Sequence, residues 1–299
     1  MSSFYENMLV IAQGKGGVGK TSLVCNIAGL TASQAGRRTL VIDLDPQNNT
    51  RRDFGMAKDS GDRLLSALIA GNPLPVTPNV RPNLDVVQGG NALSDLSALM
   101  AARRERGAAD LTDMLGASLR SIAHTYDLII VDTPPNERSI GEAAMSNAAG
   151  LVITTRTDEA SIDGLETMAE RFNHARQRNP QLTLLGVILF GVRANASVIE
   201  REAREAITAI IGDAAPVFRN RIRDLQAGAR DARRHGLLIH ELEGHALQHD
   251  RFAELKGTQT PDTLDLRTGH AGARGLADDY WGATEEILIA LNQSIRESA

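Results

Sequence analysis

The segment Gly14-Lys15-Gly16-Gly17-Val18-Gly19-Lys20-Thr21-Ser22 constrains the fold of this chain more than any other. It follows the apolar run MLVIAQ directly. It opens the stretch TSLVCNIAGLTASQAG, in which apolar residues recur at helical spacing up to Gly36, a residue suited to a left-handed C-cap. A strand, a glycine-rich turn and a helix in immediate succession build an anion cradle, because the N–H groups of the helix N-terminus point at one spot and the helix dipole favours negative charge there. The pattern G-x-x-x-x-G-K-[ST] then assigns the side chains: Lys20 reaches β- and γ-phosphate oxygens and Thr21 offers its hydroxyl to Mg2+. Gly14, Gly16, Gly17, Val18, Gly19 and Ser22 are expected to complete the cradle.

The same alternation continues along the chain. RTLVIDLDP (38–46), LDVVQGG (84–90), YDLIIVDTPP (126–135), GLVITTRTD (150–158) and LTLLGVILFGV (182–192) are apolar runs of strand length, most of them separated by amphipathic stretches. The pattern predicts an α/β protein with a single doubly wound, mostly parallel sheet flanked by helices. Ligands of such sheets bind at the carboxyl ends of the strands. The glycine loop, Asp43, Asp45 and Asp132 all fall at such ends. Asp43 and Asp45 share one side of an extended chain and Pro46 ends the strand, so both are expected at the rim. Asp132 ends a buried run in the manner of a Walker B carboxylate that holds Mg2+ through water. Guanine recognition in P-loop proteins uses an Asn/Thr-Lys-x-Asp element. The two lysines outside the loop, Lys58 and Lys256, follow Ala57 and Leu255, so ATP is favoured over GTP.

Composition narrows the classes. A net charge of -5 argues against wholesale polyanion binding while permitting local basic patches. One cysteine, Cys25, excludes an intrachain disulfide and fits a reducing cytoplasm. No leader-like or 18-residue apolar run occurs, so a cytoplasmic protein is expected. After residue 215, APVFRNRIRDLQAGARDARRHGLLIHELEGH predicts a short strand and an arginine-bearing helix. Residues 256–275, rich in Gly and Thr, predict a surface loop, and 276–296 a C-terminal helix. With no repeat or dividing linker, residues 1–299 are expected to form one domain.

Lysine is rare here. The chain has four, and two of them, Lys15 and Lys20, lie in the glycine loop, where one suffices for phosphate. K-G-G-V-G-K-T, D-L-D-P-Q and D-T-P-P at these separations resemble the ParA/MinD family of deviant Walker A P-loop ATPases, and within it the ParA/Soj-type chromosome and plasmid partition proteins. LDVVQGG, GVILFGVR and RNRIRDLQAGARDARRHGLLIHEL also lie where ParA-type proteins carry similar segments. The resemblance implies ATP and Mg2+ as cofactors and a homodimer that sandwiches ATP. Lys15 would be the family's extra lysine, which crosses that interface to the partner's phosphates. Lys15, Lys20 and Asp45 form the implied catalytic set, with Asp45 positioning the attacking water. Thr21, Asp45 and Asp132 form the metal set, the carboxylates acting through water, and Asp43 and Asp132 border the nucleotide.

Among relatives, MinD-type proteins end in a basic membrane-binding helix. Here Asp278, Asp279, Glu285 and Glu286 would be repelled by anionic lipid, and Tyr280, Trp281, Ile287, Leu288 and Leu291 are expected in the core. Nitrogenase-reductase relatives bridge their dimer with cysteine-ligated clusters and tail-insertion relatives use a C-x-x-C zinc site, neither of which one cysteine serves, and tyrosine-kinase relatives carry a C-terminal tyrosine cluster that three tyrosines cannot form. Partition or cargo positioning on the nucleoid remains. The resemblance implies a ParB-like activator and non-specific double-stranded DNA as partners, with Arg193, Arg219, Arg221, Arg223, Arg230, Arg233 and Arg234 binding the DNA. The first strand, near residue 8, leaves no space for an N-terminal helix-turn-helix. The alternatives are a metabolic ATP-dependent ligase or synthetase on the same core, and a MinD-like positioning ATPase.

Overall fold

Eight strands form one sheet in the computed structural model, which describes residues 4–96, 98–100, 109–135, 137–193, 195–244 and 270–298. They are β1 (Tyr5–Ala12), β2 (Thr39–Asp43), β3 (Thr77–Arg81), β4 (Leu84–Val87), β5 (Leu128–Asp132), β6 (Ala148–Thr155), β7 (Thr183–Val192) and β8 (Ile222–Arg223), in the order β3-β4-β2-β5-β1-β6-β7-β8. Every pairing is parallel except that of β3 with β4. The doubly wound, mostly parallel sheet expected from the sequence is therefore present. The edge strand β3 is an addition to that expectation, because TPNVR is polar and carries Pro78; an edge tolerates a proline because one side of the strand needs no ladder bond.

The continuous apolar runs follow from burial on both faces. Along β1, Met8, Val10 and Ala12 enter one apolar layer while Leu9 and Ile11 enter the other. The helices used below are α1 (Lys20–Gln34), α2 (Thr50–Asp53), α3 (Asp62–Ala70), α4 (Leu111–Leu119), α5 (Arg138–Asn147), α6 (Glu159–Arg178), α7 (Ser197–Ile211), α8 (Gln226–His235) and α9 (His270–Ser298). Helices α3 to α7 cover the face of Met8 and Val10, through residues such as Leu68, Leu115, Ile140, Leu165 and Ile207. Helices α1 and α9 cover the other face through Leu23, Ile27, Ile287 and Leu291.

Two expectations about the C-terminus need correction. Helix α9 begins at His270, so residues 270–275 are helical rather than loop. The rest of the expected loop, 256–269, lies outside the described residues. Packing overrides composition here: Gly275 lies against the guanidinium of Arg223, which Asp279 of the same helix grips at 2.7 and 2.8 Å, and a Cβ at 275 would come within 2.2 Å of Arg223. In addition, Trp281 is 49% exposed. Tyr280, Ile287 and Leu291 share the buried face of α9, Leu288 is partly buried, and Trp281, one position on from Tyr280, is turned about 100° away.

Candidate nucleotide site

The site is built where the central strand β1 gives way to α1. Gly17 and Gly19 have φ of 75° and 85°. Gly19 is the N-cap of α1, and a Cβ there would lie 2.3 Å from the ring of Phe190, so both dihedral and space require glycine. Lys20 is nearly buried and its Nζ donates to the carbonyl of Lys15 at 3.2 Å, across the loop. Burial lowers its pKa, while the charges of Asp132 and Asp45 act in the opposite direction.

Thr21 Oγ1 donates to Asp132 Oδ2 at 2.6 Å. The other oxygen of Asp132 is buried without a partner. Burial, reinforced by the charge of Asp43, pushes the Asp132 carboxyl well above the usual carboxylate range. An orphaned buried oxygen beside a threonine hydroxyl is a hard-donor set that fits Mg2+. Among the described residues no group of three or more His, Cys, Asp or Glu stands close enough to hold a metal alone.

Asp43 is not at the rim. It is fully buried, its Oδ1 accepts from the Asp45 amide at 2.8 Å and its Oδ2 from Thr50 Oγ1 at 2.6 Å. Strand β2 ends at Asp43 itself, and these two bonds turn the chain so that Asp45 alone of the pair reaches the cleft. Burial raises the Asp43 carboxyl to about 7, against the two hydrogen bonds that favour its ionised form. The glycines after β4 are explained here as well: a Cβ on Gly89 would lie 2.5 Å from the Asp45 carbonyl.

The resulting cleft, about 300 Å3, is lined by Gly16, Gly17, Gly19, Lys20, Thr21, Ser22, Asp45, Gln47, Asn49, Pro135 and Arg233. A second cleft of about 390 Å3 is lined by residues of α4, α5 and α6. Its charged groups pair with one another, His174 with Glu142 at 2.8 Å and Arg178 with Asp110, so we place the chemistry at the glycine loop.

Lys15 lies outside that lining. Its Nζ stands 2.7 Å from Asp158 Oδ1 and 3.1 Å from Ser161 Oγ, with its side chain 40% exposed. Asp158 is the N-cap of α6 and accepts from the Ser161 amide. Gln13 ties the start of the loop to the same helix end, its Nε2 donating to the Ser161 carbonyl at 3.2 Å. Sequence reasoning missed Asp158 and Ser161, since TDEAS signals only a helix N-terminus.

The seven arginines assigned to DNA do not form one free patch. Arg223 is held by Asp279, Arg221 by Glu200 at 3.0 Å, and Arg233 by Asp53 at 2.6 Å. Seven less three leaves Arg193, Arg219, Arg230 and Arg234, exposed and without a carboxylate partner among the described residues. Arg233 turns into the nucleotide cleft instead.

A family model described as an AAA domain matches residues 6–184. The chromosome partitioning protein ParA of Myxococcus xanthus is 31% identical over 194 residues, spanning 63% of this chain and 66% of that protein, just under two thirds of its length. ParA of Caulobacter vibrioides is 29% identical over 217 residues, 71% of this chain and 79% of that protein. Among solved structures, apo McdA of Cyanothece has a TM-score of 0.74 at 21% identity, covering 94% of this chain and 99% of that one. Cobyrinic acid a,c-diamide synthase of Mycobacterium smegmatis with ADP and magnesium has a TM-score of 0.64 at 20% identity, covering 88% and 100%. These two likenesses show a common fold. On the family match and the partition relatives together, the chain belongs to the ParA/MinD family of P-loop ATPases.

Proposed function

We propose that this protein is a ParA-type partition ATPase. It binds Mg-ATP in the cleft and dimerises on it. As the dimer it binds duplex DNA without sequence preference, and it hydrolyses ATP when a ParB-like activator engages, moving a plasmid, a chromosome region or other cargo over the nucleoid in the cytoplasm. Lys20 holds the β/γ oxygens, Thr21 and Asp132 hold Mg2+, and Asp45 positions the attacking water. When bound, Mg2+ neutralises charge that develops on the phosphates.

The observation that carries this reading is the placement of Lys15. Its ammonium lies outside its own cleft, at the rim, held among the described residues by Asp158 and Ser161, while Lys20 serves the cleft itself. A rim lysine of this kind is suited to the phosphates of a facing copy, where a trans cation is worth about 10³-fold or more in hydrolysis. Among the described residues no helix is long and apolar enough to cross a membrane. Sedimentation with ATP and with ADP tests the reading: the wild type doubles its mass with ATP only, and Lys15→Ala binds ATP but stays monomeric. A Lys15→Ala dimer rejects it.

The fold shared with cobyrinic acid a,c-diamide synthase keeps one alternative in play, an ATP-dependent synthetase. ATP turnover that responds to a small carbon substrate, and not to DNA with a ParB-like protein, selects it.

A further inference from the structure

Arg233 reaches the glycine loop from a position 211 residues further along the chain. Its Nε donates to Asp53 Oδ1 at 2.6 Å and its Nη2 to Ser22 Oγ at 2.9 Å. Asp53 is 4% exposed and its other oxygen is buried without a hydrogen-bond partner, so the arginine supplies the main counter-charge of a buried carboxylate. Neutralisation does not account for the whole side chain. The Arg233 side chain is 44% exposed, and the residue helps to line the nucleotide cleft. A guanidinium carries five N–H donors, and two of them are used by Asp53 and Ser22.

Position within the first turn of α1 identifies what those remaining donors meet. Successive helical residues point about 100° apart. Thr21 turns its hydroxyl to Asp132, on the side that serves Mg2+ and the terminal phosphates, and Ser22 turns its own to α8. The flank beside Ser22 is the one left for the inner phosphate as the nucleotide runs away from Lys20 and Thr21. Resting on the Mg-ATP reading above, we propose that Arg233 is a nucleotide-binding residue: α8 supplies a cation, from the same protomer, to the α-phosphate in the cleft and so reports occupancy to the helix that carries Arg230 and Arg234.

A second fastening makes that report mechanical. Gly55 and Gly236, both with positive φ, meet backbone to backbone, and a Cβ on Gly236 would lie 2.3 Å from the Gly55 Cα. Gly236 caps α8, and Gly55 closely follows α2, whose first residue, Thr50, donates to Asp43. The C-terminal turn of the helix is thus fastened twice, to the chain that follows α2 through Gly236 and Gly55 and to the cleft through Arg233.

The test measures Mg-ADP and Mg-ATP affinities by titration calorimetry for the wild type, the double variant Arg233→Gln/Asp53→Asn and the single variant Arg233→Lys. The double variant removes both charges and keeps a hydrogen-bonding pair, so it is expected to melt near the wild-type temperature. It is expected to bind ADP and ATP equally weakly, tenfold or more below wild type, because both nucleotides carry the α-phosphate. If it fails to fold, Arg233→Lys decides: one ammonium cannot span Asp53, Ser22 and a phosphate, and at least a threefold loss is expected. Amide exchange over 226–235 should slow when ADP is added to the wild type and not to the variants. Wild-type affinity in the folded variants, or equal protection of α8, overturns the proposal. A wild type that binds neither nucleotide, or a Lys20→Ala variant that binds as well as wild type, overturns the underlying ATP reading instead.

Discussion

Asp43 and Asp132 are register partners across β2 and β5, both fully buried, each taking one threonine hydroxyl at 2.6 Å, Thr50 for Asp43 and Thr21 for Asp132. Two adjacent buried carboxyls cannot both ionise cheaply, and burial raises Asp43 to about 7 and Asp132 well above its ordinary range. The sign of the linkage follows. Between the ordinary carboxylate value and about 7, the folded state keeps a proton that the unfolded chain has lost. Stability of the nucleotide-free protein therefore falls as pH rises through that window. Urea denaturation at pH 5.5 and pH 8 should show a loss on the order of 2 kcal/mol. Binding of Mg-ATP, which needs Asp132 ionised, should release protons and tighten with pH. Stability that rises with pH would count against these assignments.

The tether of Lys15 gives a second expectation. Asp158→Asn keeps a competent N-cap for α6 and removes the ionic partner of Lys15. An exposed pair of this kind is worth at most about 1 kcal/mol, and each protomer of the dimer gives one up, so the ATP dimer should tighten by up to roughly thirtyfold. Sedimentation equilibrium measures it. A weaker dimer would mean that Asp158 itself serves the interface.

Asp45→Asn keeps an acceptor for the Gln47 amide, which Asp45 Oδ1 now receives at 2.8 Å. The variant should bind ATP and dimerise, while phosphate release slows by about 10² or more, the usual worth of a positioned acid–base group. Normal turnover would move that role elsewhere in the cleft.

DNA binding should depend on Arg230 and Arg234 more than on Arg223. Each free arginine that meets a phosphate contributes a slope near -0.9 in log affinity against log salt. Arg230→Ala and Arg234→Ala should lower that slope by about one unit for each phosphate no longer neutralised, and weaken all duplexes alike. Arg223→Ala, whose guanidinium already belongs to Asp279, should leave the slope unchanged. Mobility shifts across a salt series distinguish the two behaviours.

The legibility of this chain has physical limits. Strands buried on both faces announce themselves as unbroken apolar runs, so β1, β2 and β4 to β7 could be anticipated, whereas β3, polar and at an edge, could not. The glycine loop was legible because its chemistry is local: nine consecutive residues make most of the cradle. Arg233 was misread because its partner, Asp53, lies 180 residues away and nothing in RDARRHG distinguishes an arginine facing solvent from one facing a cleft. Asp43 was misplaced because alternation along an extended chain holds only while the strand lasts, and β2 stops at that residue.

The order of the strands also sets the order of assembly during synthesis. β1 is made first, yet it is flanked by β5 and β6, with Met8 opposite Ile129 and Ala12 opposite Ile153. Until those strands leave the ribosome, both edges of β1 are open, and the glycine loop hangs from a strand without neighbours. At typical translation rates the wait is on the order of ten seconds. An apolar strand with open edges invites pairing with other chains, so the nascent protein carries that hazard before the Asp132 end of its nucleotide site is made. Nucleotide can therefore rescue the finished fold, but not the emerging one.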